Sequence, residues 1–312
     1  MPFAAVFPGQ GSQSVGMLAG LAAEYEEVAR TLAEAAEALG YDLPGLIAEG
    51  PAAELDRTEN TQPALLAVGV AAWRCWLAQG GARPTVMAGH SLGEYTALVA
   101  AGALDFADGL RLVKLRGELM QQAVPAGTGA MSAILGLDTK TVTELCAADN
   151  GVVAPANLNS PEQVVIAGER KAVERVSESA REAGAKRVIS LAVSVPSHCV
   201  LMQPAAQGLA AALAEVTIKS PELPVLNNVD VAVPNATAAV RDALVRQLTH
   251  PVRWTDIVTA FVHDYGVAAV VEFGPGKVLA GLVRRIDRSL AALPVFDPAS
   301  LKEALAVLAP SA

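Results

Sequence analysis

The chain has 312 residues, which is long for one small hydrophobic core and favours two domains or one large domain with an insertion. Hydrophobic residues make up 52% of the sequence and charged residues 18%, a composition that excludes a disordered chain and suits an α/β protein with a buried sheet. The formal net charge of −9 argues against nucleic acid as the main partner, because phosphate binding needs local positive charge.

Cysteine usage and the apolar segments indicate the cellular compartment. The three cysteines are an odd number without a Cys-x-x-Cys pair, which favours a reducing compartment over a disulfide framework or a zinc site. Residues 1–10 lack the pattern of a signal peptide. The most apolar stretch, residues 64–72, is too short for a bilayer, which needs roughly 20 apolar residues. We therefore expect a cytoplasmic protein with no membrane segment.

The first third of the chain alternates strand and helix patterns. An apolar run predicts a strand over residues 3–7, and a loop rich in glycine follows at residues 8–13. The other elements predicted in this part are helices over 25–39 and 63–79, a strand over 85–88 and a helix over 92–101. This alternation predicts a mainly parallel sheet covered by helices.

The pattern changes after about residue 127. Strand and helix patterns then follow in the β-α-β-β-α-β order of a ferredoxin-like unit: residues 130–135, 140–148, 152–158, 163–167, 171–183 and 187–191. The sequence thus predicts an α/β fold in which a large α/β-hydrolase-like domain carries a small inserted ferredoxin-like α+β domain. The predicted limits are 1–127 and 195–312 for the large domain and 128–194 for the small one.

A Gly-x-Ser-x-Gly pattern, Gly89 to Gly93, lies between a predicted strand and a predicted helix. In this context a sharp turn lifts the serine oxygen above the sheet edge, and the glycines leave room for the turn and for an acyl group. Backbone N–H groups at the start of the next helix can then stabilise negative charge on a reacting carbonyl. The pattern nominates Ser91 as a nucleophile. A glycine-rich turn without a catalytic role is the alternative, because so short a pattern also occurs by chance.

A serine nucleophile needs a base at neutral pH, which makes the histidines the candidates. The chain has four: His90, His198, His250 and His263. His90 adjoins Ser91, where its side chain should point away from the serine. His198 lies in a loop at the predicted return to the large domain, where it can reach the mouth of a cleft, and it is our preferred base. The other two are interpreted as structural histidines.

No acidic residue stands out as the third member of a Ser-His-Asp triad. Asp230 and Asp264 are possible, but their sequence context is also typical of solvated loop or helix-end carboxylates. A backbone or amide carbonyl can orient the histidine instead.

Five spaced motifs are present in the chain, and two of them contain Ser91 and His198. In chain order they are FPGQGSQ at 7–13, GHSLGE at 89–94, KLRG at 114–117, VPSH at 195–198 and FGPGKVL at 273–279. Together they resemble the malonyl-CoA:acyl carrier protein transacylase family of bacterial fatty acid synthesis. The resemblance runs from about residue 3 to residue 307, and five motifs in order are far more specific than one.

The resemblance implies a ping-pong acyltransferase that supplies malonyl groups to fatty acid biosynthesis. Ser91 would take the malonyl group from the coenzyme A thioester as an acyl-enzyme, with His198 as the base. The backbone N–H groups of Gln10 and Leu92 would form the oxyanion hole. A backbone carbonyl near Gln247 would orient His198, which fits the missing acid.

Arg116 is the residue that the resemblance implies for substrate choice. On spacing alone it is typical of a surface arginine on a helix, with Arg111 and Lys114 nearby. The resemblance assigns it instead to the malonyl carboxylate, which a guanidinium can bind through two parallel hydrogen bonds.

The implied partners are malonyl-CoA and an acyl carrier protein, a small acidic protein that presents a phosphopantetheine thiol. Because this chain is also acidic, docking would need a local basic patch. The candidate residues are Lys186, Arg187, Lys277, Arg284 and Arg285. We expect a monomer with no metal and no redox cofactor.

Three other functions fit parts of the sequence. A polyketide-type extender loader is the nearest, within the same family. A serine esterase or thioesterase shares the Gly-x-Ser-x-Gly pattern, and it predicts hydrolysis without a carrier and no need for Arg116. A non-catalytic binding protein on the same fold would not need Ser91 or His198.

Overall fold

The structure is a computed structural model that describes residues 1–125, 127–193 and 195–309. Its strands are, in chain order, β1 (Phe3–Phe7), β2 (Val86–Gly89), β3 (Gly129–Leu135), β4 (Val153–Ser160), β5 (Gln163–Glu169), β6 (Arg187–Ser190), β7 (Val225–Leu226), β8 (Ala269–Phe273) and β9 (Ala291–Val295). Its α-helices are α1 (Ala19–Glu24), α2 (Glu26–Leu39), α3 (Leu43–Glu49), α4 (Ala52–Leu55), α5 (Thr58–Ala78), α6 (Leu92–Ala100), α7 (Phe106–Ala123), α8 (Thr139–Ala148), α9 (Arg170–Glu182), α10 (Gln203–Glu215), α11 (Thr237–Gln247), α12 (Trp254–His263), α13 (Val278–Ile286) and α14 (Pro298–Leu308).

Five strands form a parallel sheet in the order β7-β2-β1-β8-β9. The central strand β1 is buried along its whole length. Because side chains alternate along a strand, Phe3 and Phe7 join one hydrophobic cluster while Ala4 and Val6 join another on the opposite face. Both faces of the sheet are therefore covered, as expected for parallel strands with helical crossovers.

The register of the two central strands positions the site. Phe7 pairs with Gly89, so β1 and β2 end at the same edge of the sheet. The glycine-rich loop after β1 and the serine turn after β2 are consequently neighbours at the carboxyl edge, where α/β sheets commonly bind their ligands.

A second, antiparallel sheet has the order β4-β5-β3-β6. Helices α8 and α9 pack with a hydrophobic cluster on one face. Met131, Ala133 and Val165 contribute to a cluster on the other face and line a cleft against the parallel sheet. The predicted fold, a parallel sheet with helices and a separate ferredoxin-like unit, is confirmed. Residues 126, 194 and 310–312, at the ends of the predicted domains, lie outside the described residues, and the domain limits stay a prediction.

Backbone hydrogen bonds join β4 of the antiparallel sheet to the segment between α11 and α12. The amide of Leu158 on β4 donates to the carbonyl of Val252 over 2.8 Å, and the amide of Val252 donates to the carbonyl of Ala156 over 2.9 Å. On the outer surface, Arg285 of α13 donates to the side-chain oxygen of Gln163 over 2.6 Å.

Helix α5 begins at Thr58, five residues before the predicted start at Pro63. Proline lacks the N–H that would bond to the carbonyl of Glu59, so sequence reasoning favours it at a helix start. The extra turn forms because Thr58, Thr61 and Gln62 are buried against the rest of the protein. Although α5 is 21 residues long, neither it nor any other helix in the described ranges is long and apolar enough to cross a membrane.

Candidate active site

The turn between β2 and α6 holds Ser91 in a strained backbone conformation. Its φ of 52° and ψ of −108° are unusual for a residue with a Cβ atom, and such strain costs about 1–3 kcal/mol. Both flanking glycines are required by backbone packing. A Cβ atom on Gly89 would overlap the backbone of Gly93, and one on Gly93 would overlap the carbonyl of Phe7. The turn leaves Ser91 lining the cleft.

His198 lies beside Ser91, although the two are 107 positions apart in sequence. Its Nε2 is 2.8 Å from the Oγ of Ser91, and its Nδ1 is 2.7 Å from the carbonyl oxygen of Gln247. A carbonyl only accepts hydrogen bonds, so Nδ1 carries the proton and Nε2 is free to accept from the serine hydroxyl. Burial, and next the positive charge of Arg116, lowers the pKa of His198 to about 3. The ring is therefore neutral at neutral pH.

Arg116 on α7 points into the site and is 1% exposed, so the surface-arginine alternative is wrong. Its Nη1 donates to the Oε1 of Gln62 over 2.8 Å. Its Nη2 donates to the Oε1 of Gln247 over 3.0 Å and to the Oγ of Ser91 over 3.1 Å. The guanidinium carbon also lies 5.4 Å from the ring centre of Tyr95.

The buried charge of Arg116 has no carboxylate in direct contact within the described part of the chain. Its Nε is buried and has no hydrogen-bond partner among the described residues. Burying a charged donor without a partner is costly. The arrangement is therefore suited to an anionic group that enters the cleft.

Two backbone amides frame the serine. Leu92 is the first residue of α6, and Gln10 follows Gly9, at which a Cβ atom would come within 2.5 Å of the carbonyl oxygen of His90. This close approach holds the loop after β1 against the serine turn. Among the hydrogen bonds of the described residues, none is donated by the backbone amide of Gln10 or of Leu92. Both residues line the cleft.

The remaining residues considered as base or acid make no hydrogen bond with the Ser91 hydroxyl among the described residues. The Nε2 of His90 is 2.8 Å from the Oδ1 of Asn159, and its ring centre is 5.5 Å from that of Trp254. Asp230 forms an ion pair with Arg246 over 2.6 Å. His250, His263 and Asp264 follow or end helices α11 and α12. The group that faces Nδ1 of His198 is the Gln247 carbonyl and not an acid.

Sequence reasoning missed two buried residues that hold the serine turn. Asn228 follows β7 and hydrogen-bonds to the backbone of Ser91 and of Gly89. Glu94 on α6 accepts hydrogen bonds from the backbone of Asn228 and from the side chain of Gln247. Glu94 is the last residue of the GHSLGE motif, but no rule of sequence spacing predicts its hydrogen-bond partners. Asn228 precedes Asp230 in a segment whose residue types are typical of a turn, so its sequence context does not indicate a role at the serine.

The site opens into a cleft of about 440 Å³ between the two sheets. The parallel-sheet side supplies the serine, its histidine and the buried arginine. The antiparallel sheet supplies apolar side chains and three side-chain amides, Asn157, Asn159 and Gln163. The volume and the mostly apolar lining with a few convergent polar groups are typical of a small-molecule site.

Comparison with known proteins places this chain in a class. Residues 5–300 match the acyl transferase domain family, and the chain is an acyltransferase. It is 56% identical over 305 residues to the malonyl CoA-acyl carrier protein transacylase of Escherichia coli K12, which covers 97% of this chain and 98% of that one. The protein of the same name from Bacillus subtilis is 46% identical over 306 residues, with 97% and 96% covered.

Solved structures agree with these relatives. An acyl carrier protein S-malonyltransferase from Vibrio cholerae has a TM-score of 0.94 at 55% identity, covering 97% of this chain and 99% of that one. A malonyl-transacylase solved in complex with a type II polyketide acyl-carrier protein has a TM-score of 0.96 at 55% identity, covering 98% and 100%. This chain belongs to the malonyl CoA-acyl carrier protein transacylase family.

Proposed function

We propose that this chain transfers the malonyl group from malonyl-CoA to the phosphopantetheine thiol of an acyl carrier protein, through an ester on Ser91, and so supplies fatty acid biosynthesis. The observation that carries the proposal is the hydrogen-bonded series from Ser91 through His198 to the Gln247 carbonyl, with the buried Arg116 in contact with the same serine oxygen. This arrangement joins a nucleophile, a base and a cation within one cleft.

In the first half-reaction His198 accepts the hydroxyl proton of Ser91 at Nε2 while Oγ attacks the thioester carbon. The carbonyl oxygen becomes negatively charged, and the free amides of Gln10 and Leu92 would stabilise it. The carbon–sulfur bond then breaks, the serine ester forms, and the coenzyme A thiolate leaves with the proton held by His198. In the second half-reaction His198 takes the proton of the carrier thiol, whose sulfur attacks the ester carbon. The bond between that carbon and the Ser91 oxygen then breaks, the malonyl group stays on the carrier sulfur, and His198 returns the proton to the serine oxygen.

Arg116 would bind the free carboxylate of the malonyl group. In a guanidinium, Nε and Nη2 lie on one edge and match the two oxygens of a carboxylate. The Nε has no partner among the described residues, while Nη2 contacts only neutral oxygens, those of Ser91 and Gln247. A carboxylate would thus supply both the missing hydrogen bond and the missing negative charge.

The carrier protein would dock on the basic residues beside the small sheet. Lys186 and Arg187 at β6 border a groove of about 530 Å³ together with Arg285 of α13 and the nearby Arg288. Lys186 is ion-paired with Glu162, whereas Arg187, Arg285 and Arg288 make no ion pair within the described ranges. Three cations without an ion pair along one groove complement an acidic partner despite the overall charge of −9.

All residues of the proposed route belong to one chain, so we propose a monomer. The route needs neither a metal nor a redox cofactor, so we propose that the protein uses none. We also propose a cytoplasmic location, where thiols stay reduced, because Cys75, Cys146 and Cys199 are all free and buried.

Intact-protein mass spectrometry tests the proposal. Wild-type protein mixed with malonyl-CoA should gain one malonyl group, which should move to the carrier when the carrier is added. Ser91→Ala should gain none, whereas the matched control Ser197→Ala, in the same cleft, should still be acylated. Free malonate without an adduct would instead indicate a hydrolase. An adduct on Ser91→Ala, or no reaction of the wild type, would exclude the proposed route.

The same assay identifies the carrier class. The complex of a structural neighbour contains a type II polyketide carrier, so fatty acid and polyketide carriers should both be offered to the acylated protein. Faster transfer to the fatty acid carrier is expected. Faster transfer to the polyketide carrier would assign the chain to extender loading.

A further inference from the structure

A buried asparagine, Asn228, bridges both ends of the serine turn. Its Oδ1 accepts a hydrogen bond from the amide of Ser91 over 2.7 Å, and its Nδ2 donates to the carbonyl of Gly89 over 2.7 Å. The residue is 0% exposed and does not line the cleft. One side chain thus fixes the backbone on both sides of His90, immediately before the nucleophile.

A buried carboxylate, Glu94, links this asparagine to the histidine's partner. The Oε2 of Glu94 accepts from the amide of Asn228 over 2.9 Å and from the Nε2 of Gln247 over 2.8 Å. The same Nε2 lies 3.1 Å from the carbonyl oxygen of Ser91. The backbone carbonyl of Gln247 orients His198. Glu94 therefore connects Asn228, which holds the serine turn, with Gln247, which holds the base.

The strained conformation of Ser91 requires such support. A non-glycine residue at φ 52° returns to an ordinary conformation unless the surrounding contacts determine its position. Asn228 holds the amide of Ser91, and Gln247 contacts its carbonyl. Loss of either contact would let the hydroxyl move relative to His198, and reacting groups displaced by about 1 Å can lose roughly 100-fold in rate.

We propose that Asn228 and Glu94 are positioning residues for acyl transfer: Asn228 holds the serine turn, and Glu94 fixes that asparagine and Gln247 in one rigid frame. The inference rests on the proposed role of Ser91 as the nucleophile. Neither residue touches the acyl group, so both act on the rate of Ser91 acylation and not on the binding of malonyl-CoA.

The test is single-turnover acylation by malonyl-CoA, followed by intact mass, with thermal unfolding measured on each variant. Asn228→Ala should lower the acylation rate at saturating donor by about 100-fold, while the half-saturating concentration changes by less than about threefold. Asn228→Asp keeps the shape and the Oδ1 acceptor but cannot donate to Gly89, and it should also be slow. It serves as the second variant if Asn228→Ala does not fold.

Asn227→Ala is the matched control. Asn227 precedes Asn228, is also buried, and accepts from the amides of Val229 and Asp230, with no hydrogen bond to the serine turn. Its loss should lower the unfolding temperature but leave acylation within about threefold of wild type. Equal slowing in Asn227→Ala and Asn228→Ala would overturn the proposal, because the effect would then be general loss of structure.

Glu94 is tested by a conservative rescue. Both hydrogen bonds reach Oε2, so the amide oxygen of Glu94→Gln can accept both, and its rate should stay within about fivefold of wild type. Glu94→Ala should be as slow as Asn228→Ala. Equal slowing of Glu94→Gln and Glu94→Ala would overturn the geometric role of Glu94. Wild-type acylation at a residue other than Ser91 would show instead that the proposed function has failed, whatever the variants do.

Discussion

The Nη2 of Arg116 lies 3.1 Å from the Oγ of Ser91, the same oxygen that contacts His198 over 2.8 Å. The residue implied in substrate choice is therefore also in contact with the proposed nucleophile. The guanidinium of Arg116 thus acts on both residues: it contacts the oxygen of Ser91, and its positive charge contributes to the low pKa of His198. Removal of Arg116 should consequently have two separable effects, one on donor choice and one on pH dependence.

Arg116→Ala should reduce malonyl transfer more than acetyl transfer. Hydrogen bonds to charged groups contribute about 1.5–3 kcal/mol, so the ratio of the two rates should fall by roughly 10- to 100-fold. Both rates should fall to some extent, because Arg116 also contacts Ser91 and Gln247. The measurement is kcat/KM for malonyl-CoA and acetyl-CoA on each variant, with Arg116→Lys as the control that keeps the charge. An unchanged ratio would contradict the carboxylate clamp.

Gly93→Ala should destabilise the protein and abolish acylation. A Cβ atom there would overlap the carbonyl of Phe7 at the end of β1, and overpacking of this kind costs about 1–3 kcal/mol or more. The control is Gly281→Ala on α13, where a Cβ atom meets nothing within 4 Å. That change should stabilise the helix by about 0.5–1 kcal/mol. Urea unfolding measures both, and similar stability of the two variants would contradict the packing argument.

Reversal of two of the cations that lack an ion pair on the groove, Arg187 and Arg288, should weaken binding of the carrier protein. Arg187→Glu combined with Arg288→Glu should raise KM for the carrier protein by roughly 10-fold at low salt, with less effect as salt is added. Acylation by a malonyl thioester that lacks the nucleotide part of coenzyme A should not change. Arg30→Glu on α2, compared with each single reversal, is the charge-matched control at a helix that lines neither the cleft nor the groove. Equal effects of Arg30→Glu and of each single reversal on the groove would place docking elsewhere.

The local part of the site was predictable because it depends on neighbours in sequence. Gly89 and Gly93 surround Ser91 at fixed spacing, and the backbone overlaps that require glycine arise within the same turn and the adjacent strand. The alternation of strands and helices likewise indicated both sheets. The boundary of α5 was not predictable from Pro63, because burial of the preceding turn outweighs the loss of one backbone hydrogen bond.

The parts that depend on distant contacts were not available from residue patterns. The pairing of Ser91 with His198 spans 107 positions, and residue type alone left His90 open. Arg116 shares a helix with exposed charges, and only the direction of α7 shows that this position faces inward. Asn228 reaches the turn from 137 positions away, and nothing in its own sequence context distinguishes it from a turn asparagine.

The pH dependence of acylation should show a strongly acidic limb. Acylation needs neutral His198, whose pKa is lowered to about 3 from an ordinary 6.5, first by burial and then by Arg116. The rate should therefore fall only as pH drops toward about 3, with no limb near 6.5. In Arg116→Gln one of these two causes is removed while burial remains, so the limb should move to higher pH without reaching 6.5.

Acetyl-CoA is the donor for this measurement. Its acyl group has no carboxylate, so the loss of Arg116 does not change how the donor binds through that group. Glu94 is the main confounding group, since burial raises the pKa of its carboxyl to about 7. It faces Gln247 and the amide of Asn228, and a change in its charge could reach the site through them. The same titration on Glu94→Gln separates the two: a limb near 7 that disappears belongs to Glu94, and one that persists belongs to His198. Two results would contradict a histidine held neutral by burial and by the arginine. One is an acidic limb at 6.5 in both the wild type and Glu94→Gln, and the other is a limb that moves to lower pH in Arg116→Gln.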